Sequence, residues 1–264
     1  MKNFIRFGIL LLLNTDYLLC VSERNEYKSV NVRRMIGGSV AERGSFLFMV
    51  AIFCKDIFQG AFSLITTHTL IGAAHVVESY VINDYYGRID DVNKYKGKKI
   101  MFGKRCIHPD HVPGDNLHDI ALLILQDPIE DIFTIALPGR NVMFTKGLAV
   151  FAGWGKTSLD TGEYDNNFLR VAEVNLIDPK SVDRSFHISV TGEQIITETF
   201  GVKATKGDSG SPLIIIDDSR RRILIGILTN PNNDINKPDI YISTSAHYNF
   251  INASSVGRPT FVDV

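Results

Sequence analysis

A chain of 264 residues, 45% hydrophobic and 22% charged, is long enough for one large domain or two packed halves of roughly 110 residues each, and too apolar to stay disordered. Its 21 Gly and 9 Pro carry no collagen-like or low-complexity signature. Lys plus Arg (28) balance Asp plus Glu (29) to a net charge of −1, so no single-signed field gathers nucleic acid or an anionic membrane, and a partner has to be chosen by a local site.

The first residues, Met-Lys-Asn-Phe-Ile-Arg, lead into an apolar run from Phe7 to Leu13, broken by Asn14, Thr15 and Asp16 before Tyr17 to Val21. A basic start followed by a short apolar stretch predicts a secretory signal over 1–22, cleaved after Ser22. The run is too short for the roughly 20 apolar residues of a membrane span. Removing it takes Cys20 away and leaves Cys54 and Cys106, which are either bridged or two separate thiols. The sequon Asn252-Ala253-Ser254 matters only in a secretory route.

From residue 46 the apolar segments are short and rich in β-branched and aromatic residues: Phe46 to Phe53, Phe62 to Thr67, Ile120 to Leu125, Leu148 to Ala152, Val171 to Ile177, Leu213 to Ile216, Ile223 to Leu228 and Ile240 to Ile242. These are strand lengths. Turn formers punctuate them, among them Asp56, Gly87, Pro113-Gly114, Pro138-Gly139 and Asp217-Asp218-Ser219. The pattern predicts an all-β chain. Only Ser245 to Ala253, opened by a capping-type Ser, reads as helix.

Four clusters carry no site on this reading. Lys94 to Arg105 alternates basic with apolar residues, as a solvated hairpin face does, and Arg220 to Arg222 marks a hairpin end. Asp84, Asp90 and Asp91, placed in one loop, lack a calcium-loop spacing. His108, His111 and His118 have neither a Cys partner nor the His-Glu-x-x-His spacing, so neither a metal site nor a cofactor is expected.

Three stretches differ in kind. Leu70 to His75 is an apolar strand ending in histidine, Leu117-His118-Asp119 puts an acid at the mouth of an apolar strand, and Lys206-Gly-Asp-Ser209-Gly-Ser-Pro212 sets a serine in a Gly-rich turn. A serine hydroxyl needs an imidazole to take its proton, and the imidazole needs a carboxylate to fix its tautomer. Gly207 and Gly210 let the backbone fold tightly enough to aim amide hydrogens at one point. The chain order His, Asp, Ser excludes the orders of subtilisin-like and α/β-hydrolase triads.

Across residues 35–264 these motifs resemble the trypsin/chymotrypsin family of serine proteases. Arg34-Met35-Ile36-Gly37-Gly38 resembles its activation site, Gly60 to Ile65 the strand before the histidine, Ala152-Gly-Trp-Gly155 its Gly-Trp-Gly, and Pro238-Asp-Ile-Tyr241 a wall of its specificity pocket. The resemblance implies two packed six-stranded antiparallel β-barrels, about 35–143 and 144–264, with a C-terminal helix and a triad of His75, Asp119 and Ser209 between the barrels. It also implies an oxyanion hole from the amides of Gly207 and Ser209. A propeptide over 23–34 would be cut after Arg34 by a protease specific for basic residues, freeing Met35 to pair with Asp208. The partners implied are a protein or peptide substrate, that activating protease, and protein inhibitors. The locale is extracellular.

The departures concern the pocket. Val76 and Gly60 stand where the family places a bridged cysteine pair, and Thr205 where a cysteine precedes the serine turn. Lys203 stands at the pocket floor and Asp239 replaces a glycine, so either Lys203 attracts acidic side chains or the two pair and leave a short neutral pocket. Thr229-Asn230-Pro231 replaces Ser-Trp-Gly, and Pro231 removes an amide donor from the substrate-pairing edge. These changes leave open a second reading, a protease-like binding protein that docks a partner.

Overall fold

The structure is a computed structural model that describes residues 38–157, 166–182, 192–230 and 237–264. The expected leader and propeptide, together with Arg34, Met35 and Pro231, lie outside these residues. In chain order the strands are β1 (Ser39–Val40), β2 (Met49–Cys54), β3 (Ile57–Leu64), β4 (Thr69–Gly72), β5 (Tyr85–Ile89), β6 (Lys98–Ile107), β7 (Ala121–Leu125) and β8 (Leu137–Pro138). They continue with β9 (Gly147–Gly153), β10 (Arg170–Ile177), β11 (Gln194–Thr197), β12 (Pro212–Ile216), β13 (Arg222–Asn230), β14 (Asp239–Ser243) and β15 (Phe261–Val262). One short helix, α1 (Tyr248–Ser254), lies before β15.

Two closed six-stranded antiparallel barrels result. The first runs β2-β3-β4-β7-β6-β5 and the second β9-β10-β11-β14-β13-β12, with β1 added at β10. The period of two is visible in β10, where alternate residues from Arg170 are buried, and β2 is buried along its whole length because it carries strands on both edges and core on its inner face. The β2–β3 hairpin turns on Lys55-Asp56, both at positive φ (49° and 65°), which suits the twist of the flanking strands. Apolar packing is continuous from the first barrel into Trp154, Ile214 and Ile227 of the second, and Ile251 of α1 joins the same cluster.

Several expectations need correcting. The helix starts at Tyr248 with His247 as its flanking residue. Ser245 instead accepts from the Val142 amide (2.6 Å) and donates to the Gly139 carbonyl (2.5 Å), tying the helix approach to the inter-barrel connection rather than capping the helix. Gly87 sits inside β5, not in a turn. Because that strand separates Asp84 from Asp90, the three acids share no loop: Asp84 pairs with Lys55 (3.4 Å) and Asp91 with Arg43 (3.2 Å). β6 has the half-buried alternation expected of a hairpin face, with Ile100 and Phe102 inside. Lys94 departs from it, being only 2% exposed with its ammonium 4.2 Å from the Phe58 ring centre. Cys54 and Cys106 are both free thiols, so no bridge joins them, and burial raises the Cys54 pKa.

Candidate active site

β4 ends at Gly72, and the small buried Ala73 and Ala74 carry the chain into a 3-10 turn, Ala74–Val76, that presents His75 at the surface of the first barrel. Asp119 follows His118, which has a φ of 54°, and precedes the buried strand β7. The change of direction at His118 turns the carboxylate inward. Asp119 accepts twice from one residue: the His75 amide reaches Oδ1 at 2.9 Å and His75 Nδ1 reaches Oδ2 at 2.6 Å. With its Nδ1 proton donated in a hydrogen bond to the carboxylate, the imidazole keeps Nε2 as a bare acceptor. The Asp119 side chain is 3% exposed and that of His75 is 32% exposed, so the contact is shielded on one side while the ring meets solvent on the other.

Ser209 sits where the two barrels are stitched together. Its carbonyl accepts from Ala61 of β3 (2.9 Å), and the neighbouring Gly210 amide donates to Leu228 of β13 (2.8 Å). Gly207 and Gly210 take φ of +98° and +77°. A Cβ on Gly60 would stand 2.4 Å from the Ser209 carbonyl oxygen and 3.1 Å from Val76 Cγ2. The glycine is therefore required by the closeness of the serine turn, and the Val76 branch occupies the neighbouring space. Among the described residues the amides of Gly207 and Ser209 donate to no protein acceptor, and both residues line a cleft of about 670 Å³ that His75 also enters.

Asp208, fully buried, accepts from the Gly155 amide (2.6 Å), the Thr205 amide (2.8 Å) and the Thr205 hydroxyl (3.2 Å). Loss of hydration pushes its carboxyl up to about 7 despite the opposing pull of these hydrogen bonds. The Gly-Trp-Gly motif has a direct physical reason here. A Cβ on Gly153 or Gly155 would fall 2.2 or 2.1 Å from a carboxylate oxygen of Asp208, so only glycine leaves room for the acid.

Lys203 and Asp239 meet. Nζ and Oδ1 are 2.6 Å apart with both side chains almost wholly buried, the ammonium also donates to the Lys237 carbonyl, and Asp239 Oδ2 accepts from the Ala204 amide at 3.1 Å. Of the two sequence alternatives, the structure has the ion pair. Burial raises the Asp239 pKa and the neighbouring ammonium partly offsets the rise. Thr229 is buried and its hydroxyl turns to the Ile240 carbonyl (3.4 Å); the Asn230 side chain and all of Pro231 lie outside the described residues. The cleft around His75 and Ser209 is walled instead by Phe58, Gln59, Lys94, Tyr95, Trp154 and Lys206. Sequence reading missed Phe58 and Lys94 in this role. The adjacent Lys94-Tyr95 pair was the available signal, since a lysine stem beside aromatics tends to lie on them.

Comparison with known proteins places this geometry. The family model described as Trypsin matches residues 35–251. The chain belongs to the trypsin family. Curated relatives include the venom serine protease Bi-VSP of Bombus ignitus, 26% identical over 72% of this chain and 59% of that protein, and coagulation factor XII of Cavia porcellus, 26% identical over 90% of this chain and 43% of that protein. The clotting factor G beta subunit of Tachypleus tridentatus is 25% identical over 86% of this chain and 81% of its own length. The chain thus spans about half the length of the first two relatives. Among the described residues no helix is long and apolar enough to cross a membrane.

Proposed function

We propose that this trypsin-family chain is a secreted serine endopeptidase that cleaves peptide bonds through Ser209, His75 and Asp119 after a zymogen form is cut behind Arg34. The observation that carries the reading is the 2.6 Å contact from His75 Nδ1 to Asp119, in a cleft that also receives Ser209. His75 Nε2 takes the Ser209 proton as Oγ attacks the substrate carbonyl carbon. The resulting oxyanion lies against the Gly207 and Ser209 amides, and the C–N bond breaks as the imidazolium returns its proton to the leaving amine. Water then repeats the sequence on the acyl-enzyme and restores Ser209. Asp119 stays ionised and holds the ring. In other serine proteases one oxyanion donor contributes about 3 kcal/mol.

The domain limits follow: a leader over 1–22, a propeptide over 23–34 and a peptidase domain over 35–264. Cleavage after Arg34 supplies the Met35 ammonium to Asp208, whose buried carboxyl otherwise has only neutral donors among the described residues. Lys203 and Asp239 neutralise one another, so the pocket beside the scissile bond is short and uncharged, and a cleavage profile dominated by Arg or Lys before the cut contradicts it. The leader and the venom and clotting relatives support an extracellular setting, with an activating protease and protein inhibitors as partners. The rival reading, a docking protein, draws on the altered pocket; the oriented imidazole and two unused amides favour the enzyme.

The test is a fluorophosphonate probe on the Arg34-cleaved chain. Labelling at Ser209 that is lost in Ser209→Ala, with turnover falling on the order of a million-fold, is expected. Absence of labelling in the cleaved protein overturns the enzyme reading.

A further inference from the structure

Three imidazoles from separate elements converge beside the proposed triad and take no part in it. His108 follows β6, His118 immediately precedes Asp119, and His247 flanks the start of α1. One ring nitrogen from each lies within 4.8 Å of the others. His111, nearest them in sequence, is not a member: its Nε2 meets Glu78 Oε2 at 2.8 Å.

The inner pair is joined by a hydrogen bond whose spacing matches that of two ligand corners. His118 Nδ1 and His247 Nε2 are 3.2 Å apart. Metal–nitrogen bonds of roughly 2.0–2.1 Å in a tetrahedron put adjacent ligand atoms about 3.3 Å apart. His247 is 4% exposed, and its Nδ1 donates to the Ser243 carbonyl at 2.9 Å. That bond fixes the tautomer and leaves Nε2 bare and aimed at His118, the backbone-carbonyl support that metal-bound histidines have. The His108 ring stacks on His118 at 4.8 Å and meets His247 edge-on at 5.2 Å. The His108 and His118 planes are 8° apart and His108 Nδ1 accepts from the Asp110 amide at 3.2 Å, so ligation by His108 turns its ring out of the stack into another rotamer and rearranges that amide bond. No thiolate or carboxylate belongs to the cluster, and imidazole nitrogens prefer borderline first-row divalent ions to Mg²⁺ or Ca²⁺.

We propose that His108, His118 and His247 form a three-histidine site for a zinc-type divalent cation, its fourth position open to water. The ion would tie the segment bearing Asp119 to the approach of α1. It displaces the proton between His118 and His247 and leaves the Nδ1–H bond of His247 to Ser243 in place. The site stands independently of the proposed protease activity, because none of its residues touches the cleft.

The experiment is calorimetric titration of the metal-free full chain with Zn²⁺ near neutral pH, paired with Co²⁺ absorption as a reporter of ligand geometry. One ion per chain and tetrahedral-type Co²⁺ bands are expected, with affinity falling at least about tenfold in His108→Gln and in His247→Gln and holding in His75→Ala and His111→Gln. Binding lost in His75→Ala but kept in His108→Gln and His247→Gln assigns the metal to the triad and overturns the proposal, as does no binding up to about 1 mM. Should His247→Gln fail to fold, His108→Gln and the Co²⁺ spectrum of the unsubstituted chain decide between the same outcomes.

Discussion

The burial of Asp208 sets a measurable pH dependence that differs between the uncleaved and the Arg34-cleaved chain. In the unfolded state this carboxyl titrates near its ordinary 3.8, and in the folded state near 7. Between those values the native state holds a proton that the unfolded state has released. Stability therefore falls as pH rises through that window and is level on either side of it. The displacement amounts to about 4 kcal/mol, a large part of the 5–15 kcal/mol typical of a whole domain. An ammonium arriving beside the carboxylate removes the burden, because a buried charge with an opposite partner no longer needs its proton. Denaturant unfolding of the uncleaved and cleaved proteins, both carrying Ser209→Ala to prevent self-digestion, should be compared from pH 4 to pH 8. The uncleaved chain should lose several kcal/mol over this range and the cleaved chain much less. Asp208→Asn should flatten the uncleaved curve, since the amide does not titrate, although its single oxygen keeps an acceptor for only one of Gly155 (Oδ1) and Thr205 (Oδ2). Equal slopes before and after cleavage, or an unchanged slope in Asp208→Asn, refute the reasoning.

Two further outcomes follow from named contacts. Lys203→Met should lower unfolding free energy by roughly 3–5 kcal/mol by leaving Asp239 charged and alone, and Lys203→Met with Asp239→Asn should recover most of that loss; a double variant as unstable as the single one would show the ion pair is not the cause. Gly60→Ala forces a shift of about 1 Å at the Ser209 carbonyl, whose oxygen would lie 2.4 Å from the new methyl. Such a displacement costs roughly a hundredfold in kcat, with little change in far-UV circular dichroism; wild-type turnover in this variant would mean that the serine turn can give way without loss.

Legibility in the sequence tracked how local the cause was. β10 and β12 were readable because their faces alternate or their apolar runs end at turn formers, and the residues proposed for the triad stand out because each lies in a short motif. β5 was missed because Gly87, which reads as a turn, is there to clear Val50 and Ile100 on neighbouring strands, a requirement set by residues far away in the chain. β11 (Gln194–Thr197) is short and buried throughout, so it offers no alternation to find. Ser245 has a helix-capping identity but spends its hydroxyl on Gly139, across a separation that no local pattern encodes. Lys94 failed for the same reason, because its burial depends on Phe58 arriving from β3.

The site shows the same division between local motif and distant constraint, and it explains how this chain departs from its family without losing the serine turn. Motif residues prescribe the turn from Thr205 to Ser211, while its position is set by Ala61 from one barrel and Leu228 from the other. Those two backbone hydrogen bonds need no cysteine. Gly60 and Val76 stand where the resemblance places a bridge, and there the glycine leaves room for the Ser209 carbonyl, 2.4 Å from where its Cβ would be, while the Val76 side chain packs beside it. A Cβ at position 60 would crowd both the Ser209 carbonyl and Val76 Cγ2, so glycine there beside the buried Val76 keeps the turn packed. Lys203 and Asp239, proposed for the pocket, are held instead by one another, by the Lys237 carbonyl and by the Ala204 amide. The groups that hold the proposed nucleophile, Ala61 and Leu228, and the residues proposed to read the substrate, Lys203 and Asp239, are thus fixed by different contacts.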